Sequence, residues 1–246
     1  MSNIETLLPN KTLRVAINFG NAVLAQKLSD TEFEGVSVSL ARYICEQLGV
    51  TPEFKFYQSA GSVVEDAEHN AWDIAFLARD KQRAVHIGFT SPYVVIEGAY
   101  LVLTDSPYRV SADIDQAGLS LSVGENAAYD LYLTRTLQHA DIVRAPTTPL
   151  AVDYFIEQNL TAGAGVRAPL LRFAKANPQY RVLDDSFMSI EQALAFNRRL
   201  EPLRDTLQEL VEAFKENGMA RAVLDQTEQH DAAIAELNQT SHYEAI

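Results

Sequence analysis

Apolar positions recur along this chain in two kinds of block, and their alternation predicts an α/β protein. Residues 12–18, TLRVAIN, are rich in β-branched side chains and uncharged in their second half, the pattern of a buried strand. A loop over FGNAVLAQ leads into EGVSVSLARYICEQLGV, where Leu40, Ala41, Ile44, Cys45 and Leu48 fall at helical spacing and Gly49 marks the stop. PEFKFYQ alternates as a strand does, SVVEDAEHNAW reads as a helix, and DIAFLA is an apolar run of strand length. Strands that alternate with helices imply a largely parallel sheet.

The same grammar restarts at Leu119. LSLSV is a strand, GENAAYDLYLTRTLQHA a turn and helix, IVRAP a strand, and TPLAVDYFIEQN a helix. LTAGAGVR follows as a strand of small residues, PLLRFAKANP as a helix and YRVLDD as a strand. LEPLRDTLQELVEAFKENG then places Leu203, Leu207, Leu210, Val211 and Phe214 on one helical face, with Gly218 as the stop. A last helix, MARAVLDQT, precedes a polar tail expected to be partly frayed.

Two similar α/β halves predict two lobes, with the chain crossing near 100–107 and again near 186–197. Lobe 1 is then discontinuous, 1–104 plus 194–246, and lobe 2 is 105–193, with a ligand cleft between them. A single doubly wound sheet is the simpler alternative. No low-complexity linker separates the halves, which argues against domains on a flexible tether.

Composition narrows the function classes. A chain of 246 residues, 47% of them hydrophobic, can bury a substantial core. Its net charge of -13 disfavours nucleic acid or an anionic membrane surface as a partner. No apolar run is long enough to span a bilayer. The N-terminal MSNIETLLPNKTL has neither the basic start nor the apolar stretch of a secretory leader. As written the chain therefore reads as cytoplasmic, and as periplasmic if a leader has been removed. Cys45 is the single cysteine, so no intramolecular disulfide forms, and its helical spacing with Ala41 and Leu48 suits a buried apolar role. The five histidines show no metal-ligand spacing, no cofactor fingerprint is present, and a monomer is expected.

The most informative chemistry lies in DIAFLARDKQRAVHIGFTSPYVVIEGAYLVLT. A buried strand there delivers its carboxyl end to a loop holding Arg79 and Arg83, and ligands collect outside the carboxyl ends of strands in open α/β sheets. A guanidinium fork suits a carboxylate because it donates two parallel hydrogen bonds. The alternative for Arg83 is a surface ion pair with a nearby acid such as Asp80. The segment resembles type II periplasmic solute-binding proteins, specifically the family that serves polar amino acid uptake by ABC transporters. Members run T-x-x-R and then F-S-x-P-Y, matched here by Asp80, Arg83, Phe89, Thr90, Pro92 and Tyr93. Two departures stand out: the loop from Asp73 to Arg83 is shorter, and Ala78 and Asp80 replace hydroxyl residues.

The resemblance implies a two-lobed clamshell, each lobe a mostly parallel sheet flanked by helices, with further ligand-facing positions. Phe19 would wall the ligand and Asn21 supply a neutral donor and acceptor, although Gly-Asn is also a turn signal. Gly124, Glu125 and Asn126 match the second-lobe loop that opens a helix, where backbone N–H groups favour an anion; Asn126 is also a plausible helix cap. In TAGAGVRAP, the aspartate that pairs with a ligand ammonium in amino-acid-binding relatives is missing, and Arg167 follows instead. Arg167 thus favours a second anionic group, or else points to solvent at a strand end. Glu97 and Glu191 are acids that restore the missing charge or form structural ion pairs.

These signs describe a non-catalytic receptor for a small carboxylated metabolite, an amino acid or related organic acid, with an ABC permease partner implied by the resemblance alone. The runner-up is a lyase of the cyclohexadienyl dehydratase kind on the same scaffold, using Glu97, Glu125 or Glu191 as a general acid. A cytoplasmic metabolite sensor, or an interaction module that no longer binds ligand, are further alternatives.

Overall fold

The computed structural model describes residues 4–239. The chain divides into two compact units: unit 1 holds Met1–Val95 and Glu191–Ile246, and unit 2 holds Ile96–Ile190. The first division falls earlier than the crossing read near 100–107, because it lies inside a long strand rather than in a loop, and the second falls within the stretch 186–197 read for the return.

Unit 1 begins with a one-turn helix α1 (Ile4–Leu7) and strand β1 (Thr12–Asn18). A short hairpin of β2 (Gln26–Lys27) and β3 (Phe33–Glu34) leads to helix α2 (Val36–Leu48). Leu40, Ala41, Ile44 and Cys45 of α2 are buried, as their spacing requires, and Gly49 ends the helix in the left-handed region at φ 65°. Strand β4 (Thr51–Tyr57) and helix α3 (Ala60–Glu68) follow, the helix capped by the Ser59 side chain accepting from the Ser62 N–H. Strand β5 (Ile74–Ala78) is buried at all five positions, as befits a parallel strand covered on both faces. β1 lies between β4 and β5 and is parallel to both. Trp72 anchors the core beneath, its indole N–H donating to the Val63 carbonyl at 2.8 Å. A single turn, α4 (Lys81–Ala84), then feeds the 17-residue strand β6 (Ile87–Leu103), which carries the chain into unit 2.

Unit 2 contains β7 (Ser120–Gly124), α5 (Ala128–Thr136), β8 (Asp141–Ala145), α6 (Leu150–Glu157), β9 (Ala162–Val166), α7 (Arg167–Ala176) and β10 (Tyr180–Val182). β7 is parallel to β8 and β9, while β9 and β10 pair antiparallel with the distal part of β6. The small residues of β9 have a packing reason: a Cβ on Gly163 would stand 3.1 Å from Phe155. The helix read over GENAAYDLYLTRTLQHA is shorter than expected. It stops at Thr136 because Asp115 captures the backbone N–H groups of Gln138, His139 and Ala140.

The chain returns to unit 1 through β11 (Met188–Asn197), antiparallel to β5, then α8 (Arg204–Glu216) and α9 (Met219–Gln226). Leu203, Leu207, Val211 and Phe214 are buried as the spacing predicts. Through Gln239 the tail is tied to unit 1. Strand β12 (Ala233–Ile234) pairs with Val95 and Val94 of β6, and Ala232 and Ala235 are buried. The remainder of that tail lies outside the described residues.

Candidate functional site

In unit 1 the candidate residues concentrate at the carboxyl end of β5. That strand closes on Ala78, and Arg79 stands opposite Glu191 of β11. The Arg79 backbone N–H donates to the Glu191 carbonyl at 2.9 Å, and its Nη1 lies 3.7 Å from Glu191 Oε2. Asp80 starts the following turn by accepting from the Gln82 N–H at 2.8 Å. The turn directs Arg83 back beneath the loop, where its Nη1 donates to the Ala78 carbonyl at 3.0 Å. Arg83 is only 3% exposed and so is not a surface cation, but the charge of Asp80 still acts on it. Burial lowers its guanidinium from 12.5 to about 10, opposed by the Asp80 charge, so it stays cationic at neutral pH. Two guanidinium groups and two carboxylates, Asp80 in the turn and Glu191 on β11, thus meet where a buried parallel strand ends.

Phe19 and Asn21 serve the local structure of unit 1. Phe19 stacks on Phe56 with centroids 5.1 Å apart and meets Phe33 edge-on, within an aromatic cluster that includes Phe54. Asn21 makes the turn foreseen as its alternative role: its side chain accepts from the Val23 N–H at 3.2 Å, and its carbonyl accepts from Leu24 and Ala25.

In unit 2 the expected anion loop is already occupied by the protein's own groups. The Gly124 N–H donates to Tyr129 Oη, the Glu125 N–H to the Ala145 carbonyl, and the Asn126 N–H to the Asp130 carboxylate at 2.9 Å. Asn126 is not the helix cap. It adopts φ 58°, and Ala127 holds the cap position without a side-chain bond. Asp130 does the capping work from inside the helix and also accepts from Thr134 and Arg144. Gly124 is required by close approach, since a Cβ there would lie 2.6 Å from Thr148 Cα.

Arg167 neither points to solvent nor offers an open cation. It donates to the carbonyls of Leu183 at 3.0 Å and Asp184 at 3.1 Å, and its Nε lies 2.6 Å from Glu97 Oε2. Glu97, half exposed, is therefore an ion-pair partner within unit 2. The expectation of a second anion site at Arg167 is corrected: two backbone carbonyls and the Glu97 carboxylate take up its fork.

Sequence reasoning missed a polar face on α8. Arg204 donates to the Phe89 carbonyl at 2.9 Å, and Gln208 accepts from the Ser91 N–H at 2.7 Å. Glu212 accepts from the Ser91 hydroxyl, and buried Lys215 donates to the Pro92 carbonyl at 3.0 Å. The spacing 204, 208, 212, 215 is that of one helix face, and that periodicity is the signal that was available. Among the described residues no cluster of His, Cys, Asp and Glu is arranged to hold a metal ion, and no helix is long and apolar enough to cross a membrane.

Comparison with known proteins agrees with this architecture. The family described as bacterial extracellular solute-binding proteins, family 3, matches residues 13–246. No curated protein sequence matches the chain. A cysteine-binding protein from Campylobacter jejuni superposes with a TM-score of 0.81 at 17% identity, covering 96% of this chain and 100% of that one. The amino acid ABC transporter substrate-binding protein AbpA from Streptococcus pneumoniae, bound to L-arginine, gives 0.78 at 19% identity over 94% and 100%. An ancestral amino acid-binding protein described as a precursor of cyclohexadienyl dehydratase gives 0.76 at 17% over 92% and 99%. At these identities the likeness shows a shared fold.

Proposed function

Since the chain belongs to the bacterial extracellular solute-binding proteins of family 3, we propose that it captures a small carboxylated metabolite, with amino acids the first class to test, and delivers it to an ABC-type permease. The observation that carries this reading is the pair Arg79 and Arg83 in the turn after β5. A guanidinium at the carboxyl end of a parallel strand suits a carboxylate because its fork donates two parallel hydrogen bonds. The bond from Arg83 to the Ala78 carbonyl holds it at that strand end. The solved relatives bound to or named for amino acids support the choice of ligand class. The family is an extracellular one, so capture outside the cytoplasmic membrane is the corresponding place of action; a wholly cytoplasmic pool in cell fractionation would favour a metabolite sensor.

The test is a thermal-shift screen against the proteinogenic L-amino acids with succinate, malate and citrate, followed by mass spectrometry of each acid. A ligand that binds only the folded protein raises its melting temperature by mass action. The expected result is a concentration-dependent rise with a carboxylated compound and no loss of that compound. Conversion would overturn the receptor reading in favour of a lyase, an alternative kept in view by the likeness to the dehydratase precursor. No shift with any acid would leave only an interaction module.

A further inference from the structure

Unit 1 has a second concave surface, whose walls share no residue with the turn after β5. A cavity of about 480 Å³ opens between the β2–β3 hairpin, the first turns of α2 and the end of α9, bordered by Glu32, Phe33, Glu34, Ser39, Arg42 and Gln226. Small-molecule sites span about 300–1,000 Å³. The backbone on the hairpin side is fixed. The Glu32 N–H donates to Ser29 Oγ at 3.0 Å, and the Glu32 carbonyl accepts from the Leu28 N–H at 2.9 Å. Gly35, at φ 125°, then folds the hairpin onto α2 so closely that a Cβ there would stand 2.3 Å from the Leu24 carbonyl oxygen. The polar side chains of these walls are unspent. Arg14, Arg199 and Arg204 in the same unit bond carbonyls or carboxylates. Among the described residues, by contrast, the side chains of Glu32, Glu34, Ser39, Arg42 and Gln226 make no hydrogen bond or ion pair with the protein. Arg42 is held by its face instead, its Cζ 5.4 Å from the Phe33 ring centroid and 6.0 Å from that of Phe54. Stacking occupies the face of a guanidinium and leaves its in-plane N–H donors for an acceptor.

We propose that this cavity is a second ligand site, built for a dibasic amino acid, with Arg42 taking the carboxylate and Glu32 and Glu34 the two cationic groups. Two carboxylates and one oriented guanidinium border the same space, and their complement carries one negative and two positive charges. A plain diamine lacks the group for Arg42 and brings a like charge beside it. A dicarboxylate has one acceptor for Arg42 but meets two glutamates of its own sign. Ser39 and Gln226 add neutral donors and acceptors at the rim. Nothing in this assignment depends on the arginines after β5.

The experiment titrates the full chain, isotopically labelled and at low salt, with L-lysine, cadaverine and glutarate, and follows backbone amide shifts by NMR. L-Lysine is expected to shift the amides of residues 31–42 and 223–227 with a dissociation constant of about 0.1–1 mM, the strength of a few partly exposed ion pairs on a fixed backbone. Arg42→Met and Glu34→Gln each remove one such pair and are expected to weaken that binding about two- to fivefold. Neither side chain belongs to the buried core, so both variants keep the fold. Cadaverine and glutarate are expected to bind there more weakly than L-lysine by at least the same factor. Unchanged affinity in both variants, or cadaverine or glutarate binding as tightly as L-lysine, overturns the assignment. L-Lysine shifts confined to residues 78–84 overturn the second site while supporting the receptor reading, and shifts in neither stretch overturn the second site alone, since the receptor reading is tested by its own panel.

Discussion

Replacing Arg83 by methionine separates ligand binding from stability more cleanly than replacing it by alanine. The side chain is buried, and its guanidinium is lowered from 12.5 to about 10, chiefly by desolvation. At 1.36 kcal/mol per unit, that depression corresponds to about 3 kcal/mol held against the charged form. It acts at every pH below about 10, because a basic group with a lowered folded value is penalised wherever it is charged. Methionine removes this penalty and fills similar volume, but it leaves the Ala78 carbonyl without its donor, at a cost of about 1–3 kcal/mol. The two effects offset each other in part, and buried Asp80, which loses the cation it faces, keeps the Gln82 N–H as a donor. Alanine would add a cavity worth a further ~2–4 kcal/mol, so loss of ligand response there would be confounded by unfolding. The assay is a melting curve with and without the best acid of the panel. Arg83→Met is expected to melt within about 5 °C of wild type and to lose the ligand-induced rise. A full ligand response would refute the clamp. An apo melting drop beyond about 10 °C would refute the desolvation argument.

Other consequences are simpler to state. Asp73 is held below the usual carboxylate range: burial alone would raise it, but Arg14 and Arg199 outweigh that effect. Its stabilisation is therefore complete above its unfolded value of about 4 and disappears as pH falls through the folded value. Asp73→Asn should cost about 2–3 kcal/mol at pH 7, discounted for two partly exposed arginines, with the gap to wild type closing on acid titration followed by circular dichroism. Gly124→Ala places a methyl against the Thr148 backbone and should destabilise unit 2 by about 1–3 kcal/mol in urea melts; a neutral result would show that the loop yields freely. Cys45 is buried and its thiol is pushed up to about 12, so a thiol reagent at pH 8 should label it only after urea unfolding.

The sequence announces some of these features and hides others for physical reasons. The buried strands and the apolar faces of α2 and α8 were legible because burial imposes a period on hydrophobicity. The state of Arg167 was not. Helix α7 begins at that residue with Val166 in the cap position, so no Ser, Thr, Asp or Asn marks the start. An arginine that spends its donors on Leu183 and Asp184 carbonyls leaves no trace in local pattern, because those partners are backbone groups distant in the chain. Asn126 misled in another way. Asparagine suits both a helix cap and the left-handed region, and only the backbone angle distinguishes the two.

The same reasoning changes what the F-T-S-P-Y segment stands for. The motif carried the family resemblance, and its groups face the scaffold of unit 1. Tyr93 is fully buried with its hydroxyl 2.8 Å from the Ser37 hydroxyl, and the Thr90 hydroxyl donates to the Ser91 carbonyl. Phe89, Ser91 and Pro92 are gripped in turn by Arg204, Gln208, Glu212 and Lys215. Pro92 has no N–H to give a neighbouring strand, and Lys215 of α8 takes its carbonyl. The motif therefore fixes where β6 runs against α8, and through Lys215 and Glu212, which also bind Glu236 and Asn238, it fixes where the segment after β12 lies.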